Sequence, residues 1–212
     1  MPERIIDTGH HVPEDAPPMT PQLPLLLGSA SPRRREILGV LGVPHIVAPQ
    51  EVDETRLQGE PADAYLIRIV ALKRDRALTM FDEKKHAGVL VADTSVIVDG
   101  DVLGKPGDDV AEGRAMIARL AGREHEVHTR FCLATGQRDI SETVVTAVVF
   151  RALTEARIAR YVDSGEGRDK AGGYAIQGLA SGFVSEIRGS YTNVVGLPAS
   201  NVLAALEQLG LA

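Results

Sequence analysis

The sequence predicts an α/β protein, a mixed β-sheet with helices on its faces. Three observations point that way. Short apolar runs such as PLLLG and VLVA alternate with amphipathic stretches of helical period. Glycines and capping residues stand between the segments, where turns and helix ends require them. Two apolar segments, EVHTRFCLATG and SETVVTAVVFRAL, are joined only by a short link near GQRDI, which marks an antiparallel pair.

In chain order, residues 1–23 hold five of the twelve prolines and show no apolar periodicity, so they read as a flexible tail outside the fold. His10 and His11 lie there and are assigned no site. PLLLGSA reads as a buried strand running into a turn. Ser31 then stands at an N-cap and Pro32 at the first helical position. RRREILGVLG continues as a helix with Ile37, Leu38 and Leu41 on one face, and Gly42 ends it. VPHIVAP is a second strand. PADAYLIRIVALKRDRALTMF places Leu66, Ile69, Val70, Ala77 and Leu78 at helical spacing, a stripe that Lys73 and Arg74 interrupt. GVLVADTSVIVDG reads as one strand or two linked strands, with Asp93 breaking the apolar run. DDVAEGRAMIARLAG is a helix capped by Asp108 and ended by Gly122. After the strand pair come LTEARIARYVDSG, a helix capped by Thr154, and the closing helix PASNVLAALEQLG. Residues 24–212 are expected to form one domain.

With 212 residues the chain can bury a sizeable core, and 44% hydrophobic with 25% charged residues is the balance of a globular protein. There is no run of about 18 apolar residues, so no membrane-spanning helix is expected. The first residues lack a basic-then-apolar secretory pattern, and a cytoplasmic location is expected. The single cysteine, Cys132, excludes an intramolecular disulfide and a cysteine-rich zinc site, and its place in FCLAT marks a buried structural thiol. A net charge of −6 makes a poor general binder of nucleic acid, so any phosphate must be met by a local basic cluster.

Four stretches carry candidate chemistry. Ser29-Ala30-Ser31-Pro32-Arg33-Arg34-Arg35 joins a strand end, small hydroxyl residues and a basic helix N-terminus. That combination reads equally as an anion site or as an ordinary capped helix with a solvated basic face, and three successive arginines fan around the axis in either case. Asp93 sits among apolar residues, where a carboxylate is costly unless paired or bound to a metal. Asp53 and Glu54 follow the second strand and carry oxygen donors suited to Mg²⁺ or Mn²⁺, though a solvated acidic loop reads the same way. Lys105, held before Pro106, and the glycine-rich stretch 164–178 with Gln177 each pass, alone, for a surface loop. No P-loop, G-x-G-x-x-G, nucleophile elbow or H-E-x-x-H is present, and His125 and His128 fall on opposite faces of their strand.

Taken together, GSASPRRREIL, VDET, VLVADTSVIVDGDVLGKP, AGREHEVHT, and DKAGGYAIQG through GSYTNVVGLP resemble the Maf family of nucleotide pyrophosphatases across about residues 25–200. The resemblance implies an elongated α/β fold in two lobes around a cleft, similar to the inosine triphosphate pyrophosphatases. It implies hydrolysis of a nucleoside triphosphate to monophosphate and pyrophosphate with a divalent cation, Mg²⁺ or Mn²⁺. Position by position, it gives Asp93 the proton-acceptor role and makes Ser31, Arg34, Glu54, Lys73 and Lys105 cleft residues; the mechanism expected from these has Glu54 and Asp93 holding the metal, directly or through water. Arg33, Thr94 and Gln177 match positions linked with substrate choice, and AIQG resembles the subgroup acting on dTTP and UTP rather than on 7-methyl-GTP. A homodimer is implied. The family's association with arrest of septum formation also leaves a non-enzymatic nucleotide-binding regulator as an alternative. A kinase or transferase would need a phosphate cradle that the sequence lacks.

Overall fold

A computed structural model describes residues 22–211. The expected tail, with His10 and His11, lies outside the described residues except for its last two positions. Seven strands form one mixed sheet: β1 (Leu25–Leu27), β2 (His45–Val47), β3 (Gly88–Val98), β4 (Asp101–Leu103), β5 (Glu124–Ala134), β6 (Asp139–Phe150) and β7 (Val184–Arg188). The order is β2-β1-β3-β5-β6-β7, with β4 paired to β3. β1 is parallel to both β2 and β3, whereas every pairing beyond β3 is antiparallel. Among the described residues six α-helices accompany it: α1 (Pro32–Val40), α2 (Ala62–Leu78), α3 (Val110–Leu120), α4 (Glu155–Asp163), α5 (Tyr191–Val195) and α6 (Ala199–Gln208). The expected α/β class is the one observed.

Local chemistry explains most boundaries. The β3–β4 hairpin turns through Asp99 and Gly100, both at positive φ, as a tight two-residue turn demands. Thr154 accepts from the Arg157 N–H and caps α4 as expected. The cap of α3 is Asp109 rather than Asp108: its Oδ1 accepts from the N–H groups of Ala111 and Glu112, while Asp108 lies one residue too early for that reach. Lys73 does not interrupt the apolar stripe of α2. It lies four residues after Ile69 and four before Ala77, so it belongs to the buried face, and only Arg74 turns outward to Asp75 and Asp139.

β3 organises the core. Residues 89–92 alternate between two clusters: Leu90 and Ala92 pack with α1 and α6, Val89 and Val91 with α2. Val96 and Val98 enter a third cluster with α3, α4, β6 and the aromatic side chains Phe150, Tyr161, Tyr174 and Phe183. Between these two parts of the strand, Asp93 and Thr94 leave the buried run. A cleft opens there.

Candidate active site

The cleft encloses about 450 Å³ and is lined by Ser31, Arg33, Arg34, Glu54, Lys73, Asp93, Thr94, Lys105 and Gln177 together. The nine site residues that the resemblance carries over therefore reach one space, although they come from six separated segments; Asp53, named with Glu54 as an oxygen donor, does not line it.

Strand parity divides the site in two. Asp93 shares its face with Val89 and Val91, so it points toward α2. There Lys73, a residue only 6% exposed, donates through its ammonium to Asp93 Oδ1 at 2.8 Å and pairs with Glu54 Oε1 at 2.7 Å. Two carboxylates thus share one buried cation. The second oxygen of Asp93 has no hydrogen bond among the described residues. Burial raises the Glu54 pKa, but the hydrogen bond and charge of Lys73, with Lys105 and Arg34 behind, hold it below the usual value. Tyr65, about two helical turns before Lys73, is pushed up to about 12 by burial and by the Asp93 and Glu54 charges.

Thr94 takes the opposite face and meets α1. Arg34 is buried and its guanidinium is shared among four protein acceptors: Nε to Gly196 O (2.8 Å), Nη1 to Ser29 Oγ and Ala92 O (both 2.9 Å), and Nη2 to Thr94 Oγ1 (3.2 Å). Burial lowers its pKa, opposed by Asp93. Arg33 Nε donates to Val195 O at 3.2 Å, so both arginines serve the carbonyls at the end of α5. Arg35 is exposed and does not line the cleft, as the fanning around the axis requires. Ser31 occupies the N-cap position of α1 without a side-chain cap bond, while Ser29 Oγ accepts from the Ser31 N–H at 3.2 Å. Gly28 lets this turn press against the sheet: a Cβ there would stand 2.6 Å from Val91 Cγ1.

Several contributors were given no role in the sequence reading, although those in 166–174 belong to the glycine-rich stretch it singled out. Asn193, completely buried, donates to Val127 O (2.9 Å) and Thr146 Oγ1 (3.0 Å), and its carbonyl accepts from Thr129, whose hydroxyl bonds Thr94. Asp169 and Lys170 pair across the cleft wall. Tyr174 lines the cleft, and its hydroxyl meets the buried His125 Nε2 at 2.8 Å. The glycine-rich stretch folds against itself: a Cβ on Gly167 would lie 1.8 Å from Gly173 O. Glu166 accepts the N–H groups of Leu179 and Ala180 and so fixes the turn just after Gln177.

A contrast emerges. Arg34, Thr94 and Lys73 are committed to protein partners, whereas Lys105, Ser31 and Gln177 make no side-chain hydrogen bond or ion pair among the described residues. The first group is a fixed frame and the second is free to meet a ligand. Among the described residues, no three His, Cys, Asp or Glu side chains converge as a ready metal site. Glu54 and Asp93 are two hard oxygen donors against the same ammonium, which suits an ion that completes its shell with waters and ligand oxygens.

Fold and cleft define an α/β protein whose central strand opens into a cleft lined by carboxylates and cations together. The chain belongs to the Maf family: residues 24–209 match the family described as Maf-like protein. It is similar to the dTTP/UTP pyrophosphatase of Bordetella parapertussis (strain 12822), with 47% identity over 194 residues covering 89% of this chain and 93% of that protein. It is 45% identical to the dTTP/UTP pyrophosphatase of Syntrophus aciditrophicus (strain SB) over 88% of this chain and 90% of the relative. The dTTP/UTP pyrophosphatase of Myxococcus xanthus (strain DK1622) is also 45% identical, over 88% of this chain and 93% of its own length.

Proposed function

We propose that this protein hydrolyses nucleoside triphosphates, dTTP and UTP foremost, to the monophosphate and pyrophosphate. The single observation carrying the reading is the Glu54–Lys73–Asp93 cluster facing the arginine frame across one cleft, in a chain whose relatives are named for this activity. Those names favour an enzyme over a regulator that only binds nucleotide.

Phosphoryl chemistry depends on positioning and charge neutralisation more than on covalent help from the protein. Lys105, with the Arg34 frame behind it, draws the triphosphate into the cleft, and the Ser31 hydroxyl with neighbouring N–H groups anchors it. Asp93 accepts a proton from the attacking water at its unengaged oxygen, while Lys73 keeps the other oxygen fixed. A divalent cation, Mg²⁺ or Mn²⁺, would be held by Glu54 and Asp93 and would neutralise phosphate charge and activate water there. Gln177, at the mouth, meets the base edge through an amide that both donates and accepts. Arg33 belongs to the same specificity wall, beside Asp169. The enzyme acts in the cytoplasm as a homodimer, with residues 24–212 as the catalytic domain and 1–23 outside it.

The test is pyrophosphate release from a nucleotide panel with Mg²⁺ or Mn²⁺. dTTP and UTP should turn over fastest, and Asp93→Asn should lose about 10²–10⁴-fold in kcat. Faster turnover of 7-methyl-GTP would overturn the substrate assignment, and near-full activity of Asp93→Asn would overturn its role.

A further inference from the structure

Glu54 enters the cleft from a segment that secondary structure does not hold. Residues 48–61 form neither helix nor strand. Within 49–60 the only backbone-to-backbone hydrogen bond among the described residues runs from Glu60 N to Leu57 O. The Glu54 side chain is 43% exposed and has Lys73 as its ion-pair partner. A carboxylate that must meet a cation reproducibly needs firmer support.

Arg68 supplies it. From α2 it donates Nε to Glu60 Oε1 at 2.7 Å and Nη2 to Glu60 Oε2 at 2.8 Å, a fork-to-fork pair. The same Nη2 donates to the carbonyl of Thr55, the residue after Glu54, at 3.0 Å. Glu60 Oε2 also accepts from Leu57 N at 3.1 Å, and Arg56 returns to Glu60 O at 3.0 and 2.6 Å. The guanidinium lies over the Tyr65 ring, 5.7 Å from its centre. The Glu60 side chain is only 8% exposed, and the Arg68 hydrogen bond is the main cause holding its carboxyl at about 2. The chain that follows Glu54 is therefore tied at Thr55 and again at Glu60 to one planar group on α2.

We propose that Arg68, forked to Glu60 and bonded to the Thr55 carbonyl, is a positioning residue that sets Glu54 in the cleft. It touches no substrate and acts through Glu54, so the inference rests on the role given to Glu54 above. Lysine cannot replace it, because an ammonium lacks the planar fork that spans two acceptors at fixed separation.

The test combines kinetics with hydrogen exchange. Arg68→Ala should lower kcat/KM about 10–100-fold, the range for groups that orient a ligand-bearing side chain. In a Glu54→Ala background the same substitution should change kcat/KM by no more than about twofold, because its target is gone. Arg68→Lys should recover little of the loss. Amide exchange in 53–60 should accelerate in Arg68→Ala while β3 stays protected. An equal fold-loss with and without Glu54, or unchanged exchange in 53–60, would overturn the inference. Should Arg68→Ala not fold, Glu60→Gln cuts the same fork with little change of volume and carries the same comparisons. Wild-type protein that releases no pyrophosphate would sink the substrate reading alone, since the exchange measurement needs no nucleotide.

Discussion

His125 ties the wall of the cleft to pH. It is 2% exposed, its ring packs edge-on against Phe150 and Tyr174, and Nε2 bonds the Tyr174 hydroxyl. Nδ1 has no partner among the described residues. Burial lowers the imidazole pKa from 6.5 to about 4, so the folded protein keeps the ring neutral where the unfolded chain would protonate it. The displacement is worth roughly 3 kcal/mol between the two protonation states. Between pH 6.5 and pH 4 the unfolded state binds the extra proton, so the stability is complete above 6.5 and drains away as pH falls toward 4. At pH 5 the loss from this one group comes to about 2 kcal/mol. Urea unfolding of wild type and His125→Gln at pH 7 and pH 5 isolates it, because the remaining titrating groups are common to both proteins. Wild type should lose about 2 kcal/mol more than the variant over that interval, whatever the offset between them at pH 7. Equal losses would refute the claim that a buried neutral imidazole supports Tyr174.

Gly167→Ala drives a Cβ into the Gly173 carbonyl, 1.8 Å away, and should destabilise the fold by about 1–3 kcal/mol or more, read as a lowered urea midpoint. Thr94→Val removes the hydroxyl between Arg34 Nη2 and Thr129 Oγ1 and should slow dTTP and UTP alike, by about tenfold in kcat/KM, because it loosens the frame and leaves the base contact alone. A change of base preference without a common loss would return Thr94 to the specificity wall. Stripping divalent cations with a chelator should abolish pyrophosphate release and added Mg²⁺ or Mn²⁺ should restore it. Full activity in excess chelator would remove the cation from the reaction.

What was legible in the sequence follows from the range of each signal. A carboxylate inside an apolar strand run is a local anomaly, and Asp93 stood out for that reason. Thr154 announced itself through the cap chemistry of its own turn. Lys73 was misread as an interruption because hydropathy scores an ammonium as polar, whereas helical position places it on the buried face beside Ile69 and Ala77. Asp108 and Asp109 are equivalent in composition, and only the start of the helix chooses between them. Asn193 was invisible: its partners Val127 and Thr146 are 66 and 47 residues away, and α5 is too short to show a period. β7 escaped because VSEIR is half-exposed and charged, held by its ladder to β6 rather than by its own composition.

The charge distribution explains why such a site needs a fixed frame. The cleft is lined by Arg33, Arg34, Lys73, Lys105 and Lys170 against Glu51, Glu54, Asp93 and Asp169, a surplus of one positive charge in a chain of net charge −6. Much of that positive charge is already engaged, Lys73 by two carboxylates and Lys170 by Asp169. A triphosphate brings several negative charges, more than the surplus can neutralise. The protein therefore supplies orientation more than raw charge: Arg34 is pinned by four acceptors before any ligand arrives, so its field is directed without rearrangement. A divalent cation between Glu54 and Asp93 would make up the deficit where the phosphates pass. On the proposed reading, the same two carboxylates that would repel a bare triphosphate would favour one that arrives together with its metal.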